Sequence, residues 1–151
     1  VELAGVAKNA AALAAAAAAP HGPNAAGAAA GTVFTEIEAH ARRAGARPET
    51  FSGLAGAGDL VATAVAQQSR NRRAGELLAA GMPPHEIGQA LGQAVEALDT
   101  LPLLADRMAA EGDAHSAVSA LAQVASGEVQ PDTGSAGSPP RAGGCALRRR
   151  A

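Results

Sequence analysis

The feature that most constrains this chain is its dependence on alanine together with its near lack of aromatic side chains. Phe34 and Phe51 are the only aromatics, with no Trp or Tyr. Alanine is the best helix former because it loses no side-chain entropy on ordering. Small side chains cannot fill wide gaps, so a core of Ala, Leu and Val requires helices that approach one another closely. A chain of 151 residues is long enough for one domain with such a core. The expectation is therefore an all-α, multi-helix bundle, and no stretch shows the apolar alternation of a strand.

A net charge of −2 offers no general attraction to nucleic acid. The basic residues gather at Arg70, Arg72 and Arg73, and again at Arg148, Arg149 and Arg150. Cys145 is the only cysteine and makes no internal disulfide, which fits a reducing cytoplasm. His21, His40, His85 and His115 show no ligand spacing, so no metal site is expected. Val1 to Ala19 is apolar, but Glu2, Lys8 and Asn9 interrupt it, and no basic segment opens it. The alanine run from Ala14 to Ala19 is only weakly hydrophobic, so neither a signal peptide nor a membrane span is expected. The first residue is Val rather than Met, and the chain is expected to begin partway through a longer protein.

Punctuation divides the chain into helices. Glu2 to Ala19 is the first, stopped by Pro20, with His21-Gly22-Pro23-Asn24 as a turn. A second helix is expected from about Ala25 to Ala44, with Val33, Ile37 and His40 or Ala41 on one face and Gly45 as its cap. Pro48 to Phe51 opens a short helix. The glycines Gly53, Gly56 and Gly58 allow tight backbone approach or positive φ. Further helices are expected from Asp59 to Ala66, Arg72 to Ala80, Pro84 to Leu91, Val95 to Ala110 and Ala114 to Ala125. Residues 1–129 thus form the helical domain. Residues 130–151 hold Gly, Pro, Ser and an arginine run, with too little apolar surface to offset ordering entropy, and are expected to be a disordered tail.

Polar residues concentrate at three places, each with two readings. Lys8-Asn9 lies within the Ala-rich first helix. Lys8 is either a solvated surface charge or, if its face is buried, a desolvated amine suited to general-base work. Asp59, at the end of Gly56-Ala57-Gly58-Asp59, is either a helix N-cap or a carboxylate held beside a ligand or a lysine. No strand precedes these glycines, so they are not a dinucleotide fingerprint. Ser69-Arg70-Asn71-Arg72-Arg73 is either a solvated basic face or a phosphate cradle. In the second reading, free N–H groups at a helix start and an Arg fork both favour an anion.

The order and spacing of these places resemble one family. Val1-Glu2-Leu3-Ala4-Gly5-Val6-Ala7-Lys8-Asn9 resembles the VELxGxxKN helix that opens the second domain of bacterial NAD(P)-dependent glycerol-3-phosphate dehydrogenases. Pro48 to Leu60 resembles their PETFxGLAGxGDL stretch, Ser69 to Arg72 their SRNR, and Gly92 to Glu96 the start of their GQxxEG. The likeness runs from Val1 to about Val129. It implies a C-terminal helical domain of the 6-phosphogluconate dehydrogenase-like kind, separated from its Rossmann domain. It implies interconversion of glycerol 3-phosphate and dihydroxyacetone phosphate for glycerophospholipid synthesis, in the cytoplasm. Lys8 would be the catalytic proton acceptor. Lys8, Asp59, Ser69, Arg70 and Asn71 would bind substrate. Arg70, Ala94 and Glu96 would face NAD or NADP, which needs the first domain to be held. The partners implied are the Rossmann domain and a second copy in a homodimer, with no nucleic acid, membrane or metal.

The departures are Ala97 where the family has Gly, Thr63-Ala64-Val65-Ala66 in place of a more polar run, and the region His21 to Asn24. The alternative is a non-catalytic helical module that dimerises or binds a partner. The isolated chain is expected to be inactive on either reading.

Overall fold

The computed structural model describes residues 2–130. The tail expected over residues 130–151, with Cys145 and the second arginine cluster, therefore lies almost wholly outside the described residues. Within them the elements are helical throughout. They are α1 (Glu2–Ala18), a 3-10 turn (Ala19–His21), α2 (Pro23–Arg43), α3 (Pro48–Ser52), a π-helical turn (Leu54–Gly58), α4 (Asp59–Val65), α5 (Arg70–Ala79), α6 (Pro84–Leu91), α7 (Glu96–Ala110) and α8 (Ala117–Ser126).

α1 is the centre of the bundle, packed against α2, α4, α5 and α7. Its buried residues are nearly all alanine: Ala4, Ala7, Ala10, Ala11, Ala12, Ala14 and Ala16, with Leu13. Because these side chains are short, neighbouring backbones come very close. The closest crossing is at Gly75 of α5, where an added Cβ would lie 2.4 Å from the Leu13 carbonyl oxygen and 2.7 Å from the Ala16 Cβ. Glu2–His21 is long and apolar enough to cross a membrane by length and composition, but here much of that apolar surface is covered by other helices.

Larger side chains fill the outer core. Val33, Ile37, His40 and Ala41 line the buried face of α2 as their spacing predicted, and Phe34 joins them there. The two aromatics meet edge to face, Phe34 on Phe51, with ring centroids 5.9 Å apart. Leu101, Leu104 and Met108 of α7 are buried with Val118, Leu121 and Ala122 of α8. Glu36 crosses from α2 to cap α8, its two carboxylate oxygens each accepting a 3.0 Å hydrogen bond, from the N–H groups of Ala117 and Val118.

Several boundaries differ from expectation. α2 starts at Pro23, because proline at the first helical position loses no bond and Gly22, at φ 102°, turns the chain into it. α5 starts at Arg70 rather than Arg72, because Ser69 serves as N-cap and accepts from the Arg72 N–H. α8 starts at Ala117, held there by Ser116 and Glu36. Gly53, Gly56 and Gly58 all keep negative φ, against one of the two expectations for them. Their role is close approach: a Cβ on Gly56 would lie 2.1 Å from the Phe51 carbonyl oxygen. α7 runs unbroken through Pro102, at the loss of one backbone bond to Leu98.

Candidate functional site

Three elements converge on one side of α1. Lys8 and Asn9 lie midway along it, α4 begins with Asp59, and α5 begins with Arg70. The Lys8 Nζ donates to Asp59 Oδ2, joining α1 to the start of α4. Asp59 is not the N-cap of α4, as one reading had it: Gly58 takes that position, Asp59 is the first helical residue, and its carboxylate meets the lysine. Lys8 is not fully desolvated as the buried reading required: 23% of its side chain is exposed, and 44% of Asp59. The pair stands at the surface with one side open.

Beside it lies a pocket of about 450 Å³, lined by Asn9, Ala62, Thr63, Ala66, Gln68, Ser69, Arg70 and Asn71. Ser69, Arg70 and Asn71 are thus together, at the N-terminus of a 10-residue helix whose first N–H groups lack intrahelical acceptors. Asn71 Oδ1 is buried and has no hydrogen-bond partner among the described residues. A buried, unpaired amide oxygen carries a desolvation cost unless a donor reaches it.

Arg70 reaches in a second direction as well. Its Nη1 donates to the Ala94 carbonyl at 3.4 Å, tying the start of α5 to the segment between α6 and α7. Arg70 and Ala94 are therefore adjacent. Glu96 stands apart, opening α7 with an exposed side chain two residues past Ala94. A larger cleft, of about 520 Å³, lies between α6, α7 and α8. Its ionisable side chains are His85 and Asp99, and no Lys or Arg lines it. An anion finds its counter-charge in the smaller pocket instead.

Asn9, Thr63 and Gln68 also line the pocket, although none was singled out as a binding residue from the sequence. Two of the three had a readable signal. Asn9 follows Lys8 directly, and Thr63 lies four residues after Asp59, hence on the same face of α4. The arrangement joins a cation–carboxylate pair, able to pass a proton, to a pocket with features that hold an anion.

Comparison with known proteins identifies the family of this domain. A family model described as the NAD-dependent glycerol-3-phosphate dehydrogenase C-terminus matches residues 1–135. A glycerol-3-phosphate dehydrogenase [NAD(P)+] of Deinococcus radiodurans is 43% identical over 136 residues, covering 89% of this chain and 40% of that protein. The enzyme of the same name from Methylobacterium radiotolerans is 39% identical over 134 residues, covering 87% and 40%. The crystal structure of glycerol-3-phosphate dehydrogenase from Coxiella burnetii superposes with a TM-score of 0.73 at 34% identity, covering 87% of this chain and 41% of that one. The chain thus spans about 40% of the length of the curated relatives it matches. With the bundle, the motifs and the matched span in agreement, the chain belongs to the family of NAD-dependent glycerol-3-phosphate dehydrogenase C-terminal domains.

Proposed function

We propose that this chain is the substrate-binding half of an NAD(P)-dependent glycerol-3-phosphate dehydrogenase, interconverting glycerol 3-phosphate and dihydroxyacetone phosphate. The observation that carries this reading is the Lys8–Asp59 pair beside a pocket bearing Ser69, Arg70 and Asn71. The phosphate sits at the start of α5, where Arg70 and the free N–H groups meet its charge. Asn71 lines the same pocket and contributes to holding the substrate there. Lys8 then exchanges a proton with the C2 oxygen. It takes the hydroxyl proton during oxidation and returns it during reduction, when a cation near that oxygen also stabilises developing alkoxide charge. Asp59 binds at the substrate side and holds the Lys8 amine in place.

The residues that would face the cofactor fit a ligand arriving from outside the bundle. Arg70 is exposed and bonded to the Ala94 carbonyl, and Glu96 is exposed nearby in sequence, so together they form an open edge. When bound there, NAD or NADP accepts or supplies the hydride at C2. The Rossmann portion that holds it corresponds to the part of the relatives that precedes the matched span, which makes that portion this domain's first partner. A homodimer and a cytoplasmic setting complete the proposal.

The test is an assay of NAD(P)H oxidation with dihydroxyacetone phosphate. The chain alone is expected to show none. The chain joined behind the preceding part of the Deinococcus radiodurans relative is expected to turn over. A well-folded joined protein that binds NADH yet shows no turnover would overturn the reading.

A further inference from the structure

We infer that Arg72 is a positioning residue that sets the width of the anion pocket by holding α4 against α5. α4 is anchored by packing only near its start, where Leu60 rests partly buried against the core. None of its residues is fully buried, and Val61 and Val65 are 63% and 71% exposed. Seven residues are too few for a helix to persist without support. Behind α4, the facing positions are Ala12, Ala15, Ala16 and Ala19, which leave a gap of about 260 Å³ also bordered by Ala64, Arg72 and Glu76. Alanines cannot close that gap, so apolar contact does not fix the C-terminal end of α4.

Arg72 does so by hydrogen bonding. Its Nε donates to Glu76 Oε1 at 2.9 Å, one turn along α5, which holds the guanidinium in one orientation. Its Nη1 donates to the Ala64 carbonyl at 3.4 Å. Ala64 is in the last turn of α4, where carbonyls lack intrahelical partners and a cation is favourably placed. The start of α4 is pinned by Asp59 to Lys8, and its end is pinned by Arg72. Between these points Ala62 and Thr63 form one wall of the pocket, while Ser69, Arg70 and Asn71 form the other. Arg72 does not line the pocket. It acts through the spacing of the walls, and its planar fork holds both bonds in one fixed geometry that the single flexible ammonium of a lysine does not reproduce.

This inference rests on reading the pocket as an anion site, and the test separates the two. Inorganic phosphate is titrated into the chain and followed through the backbone amide signals of Arg70 and Asn71. The variants are Glu76→Ala, Arg72→Lys and Arg70→Gln, each first checked for unchanged helical circular dichroism. Glu76→Ala is the decisive one. It removes both the negative charge near the site and the acceptor that anchors Arg72, and electrostatics alone would tighten phosphate binding. If Arg72 acts by position, losing its anchor weakens phosphate binding by about threefold instead. Arg72→Lys, which keeps the charge, is weakened likewise. Tighter or unchanged binding in Glu76→Ala, with Arg70→Gln still weakened, overturns the role of Arg72 alone. Absence of a saturable phosphate response in the unaltered chain overturns the anion pocket and this inference together.

Discussion

Lys8 and Arg70 carry the account at the level of single residues, and each makes a different demand. Lys8 is partly exposed, so its replacement should leave the bundle folded, free the start of α4 from its tie to Asp59 and remove proton exchange. In the chain joined to a Rossmann portion, Lys8→Met is expected to lower kcat by about 10²- to 10⁴-fold, the usual range for loss of a general acid or base. Steady-state kinetics of NADH oxidation, with thermal melting as a fold control, checks this. Arg70 has a divided role, since it lines the anion pocket while its guanidinium bonds the Ala94 carbonyl. Arg70→Gln is expected to raise KM for dihydroxyacetone phosphate about tenfold or more, as for a charged hydrogen bond worth about 1.5–3 kcal/mol. Unaltered KM in that variant would remove Arg70 from the site.

The helices explain why these residues meet. Close approach of α1 and α5 brings Lys8 and Arg70 to the same side, and Gly75 is what allows it. Gly75→Ala is expected to cost about 1–3 kcal/mol, because its Cβ must displace backbone rather than a flexible side chain. Gly27 of α2 is the contrast, exposed and with nothing within 4 Å of an added Cβ. Gly27→Ala is expected to stabilise by about 0.5–1 kcal/mol through helix propensity alone. Urea unfolding midpoints of the two variants should therefore move in opposite directions. Glu36 supplies a second kind of element-level control, capping α8 from α2 with both oxygens. Glu36→Ala leaves two helix-start N–H groups without their acceptor, and about 1–2 kcal/mol should be lost in the same measurement.

Over the whole molecule, much of the architecture was legible from periodicity and punctuation. Every expected helix occurs, because alanine propensity, prolines at first turns and glycines past helix ends all act locally. The misplaced starts of α5 and α8 have a common physical cause. They depend on which side chain satisfies the first N–H groups, and for α8 that includes Glu36, more than 80 residues away in sequence. The start of α2 has no side-chain cap and follows from Gly22 and Pro23 instead. The π-helical turn was equally out of reach, since Gly56 is needed for contact with Phe51 rather than for its own φ. For the site, motif order pointed to Lys8, Asp59 and Ser69 to Asn71, and the structure joins them into two adjoining groups. Half-burial of Lys8 was not readable, because it depends on where α4 lies. Glu96 remains a candidate through resemblance alone, exposed at the start of α7.

The proposed site for a phosphorylated three-carbon substrate lies between α1, α4 and α5. It is checked by titrating glycerol 3-phosphate into the chain, with glycerol as control, and following backbone amide signals across the molecule. Saturable shifts are expected at Asn9, Thr63, Arg70 and Asn71, and none with glycerol at the same concentrations. Shifts centred instead on His85, Gly88 and Asp99 in the larger cleft, or equal responses to glycerol, would contradict it.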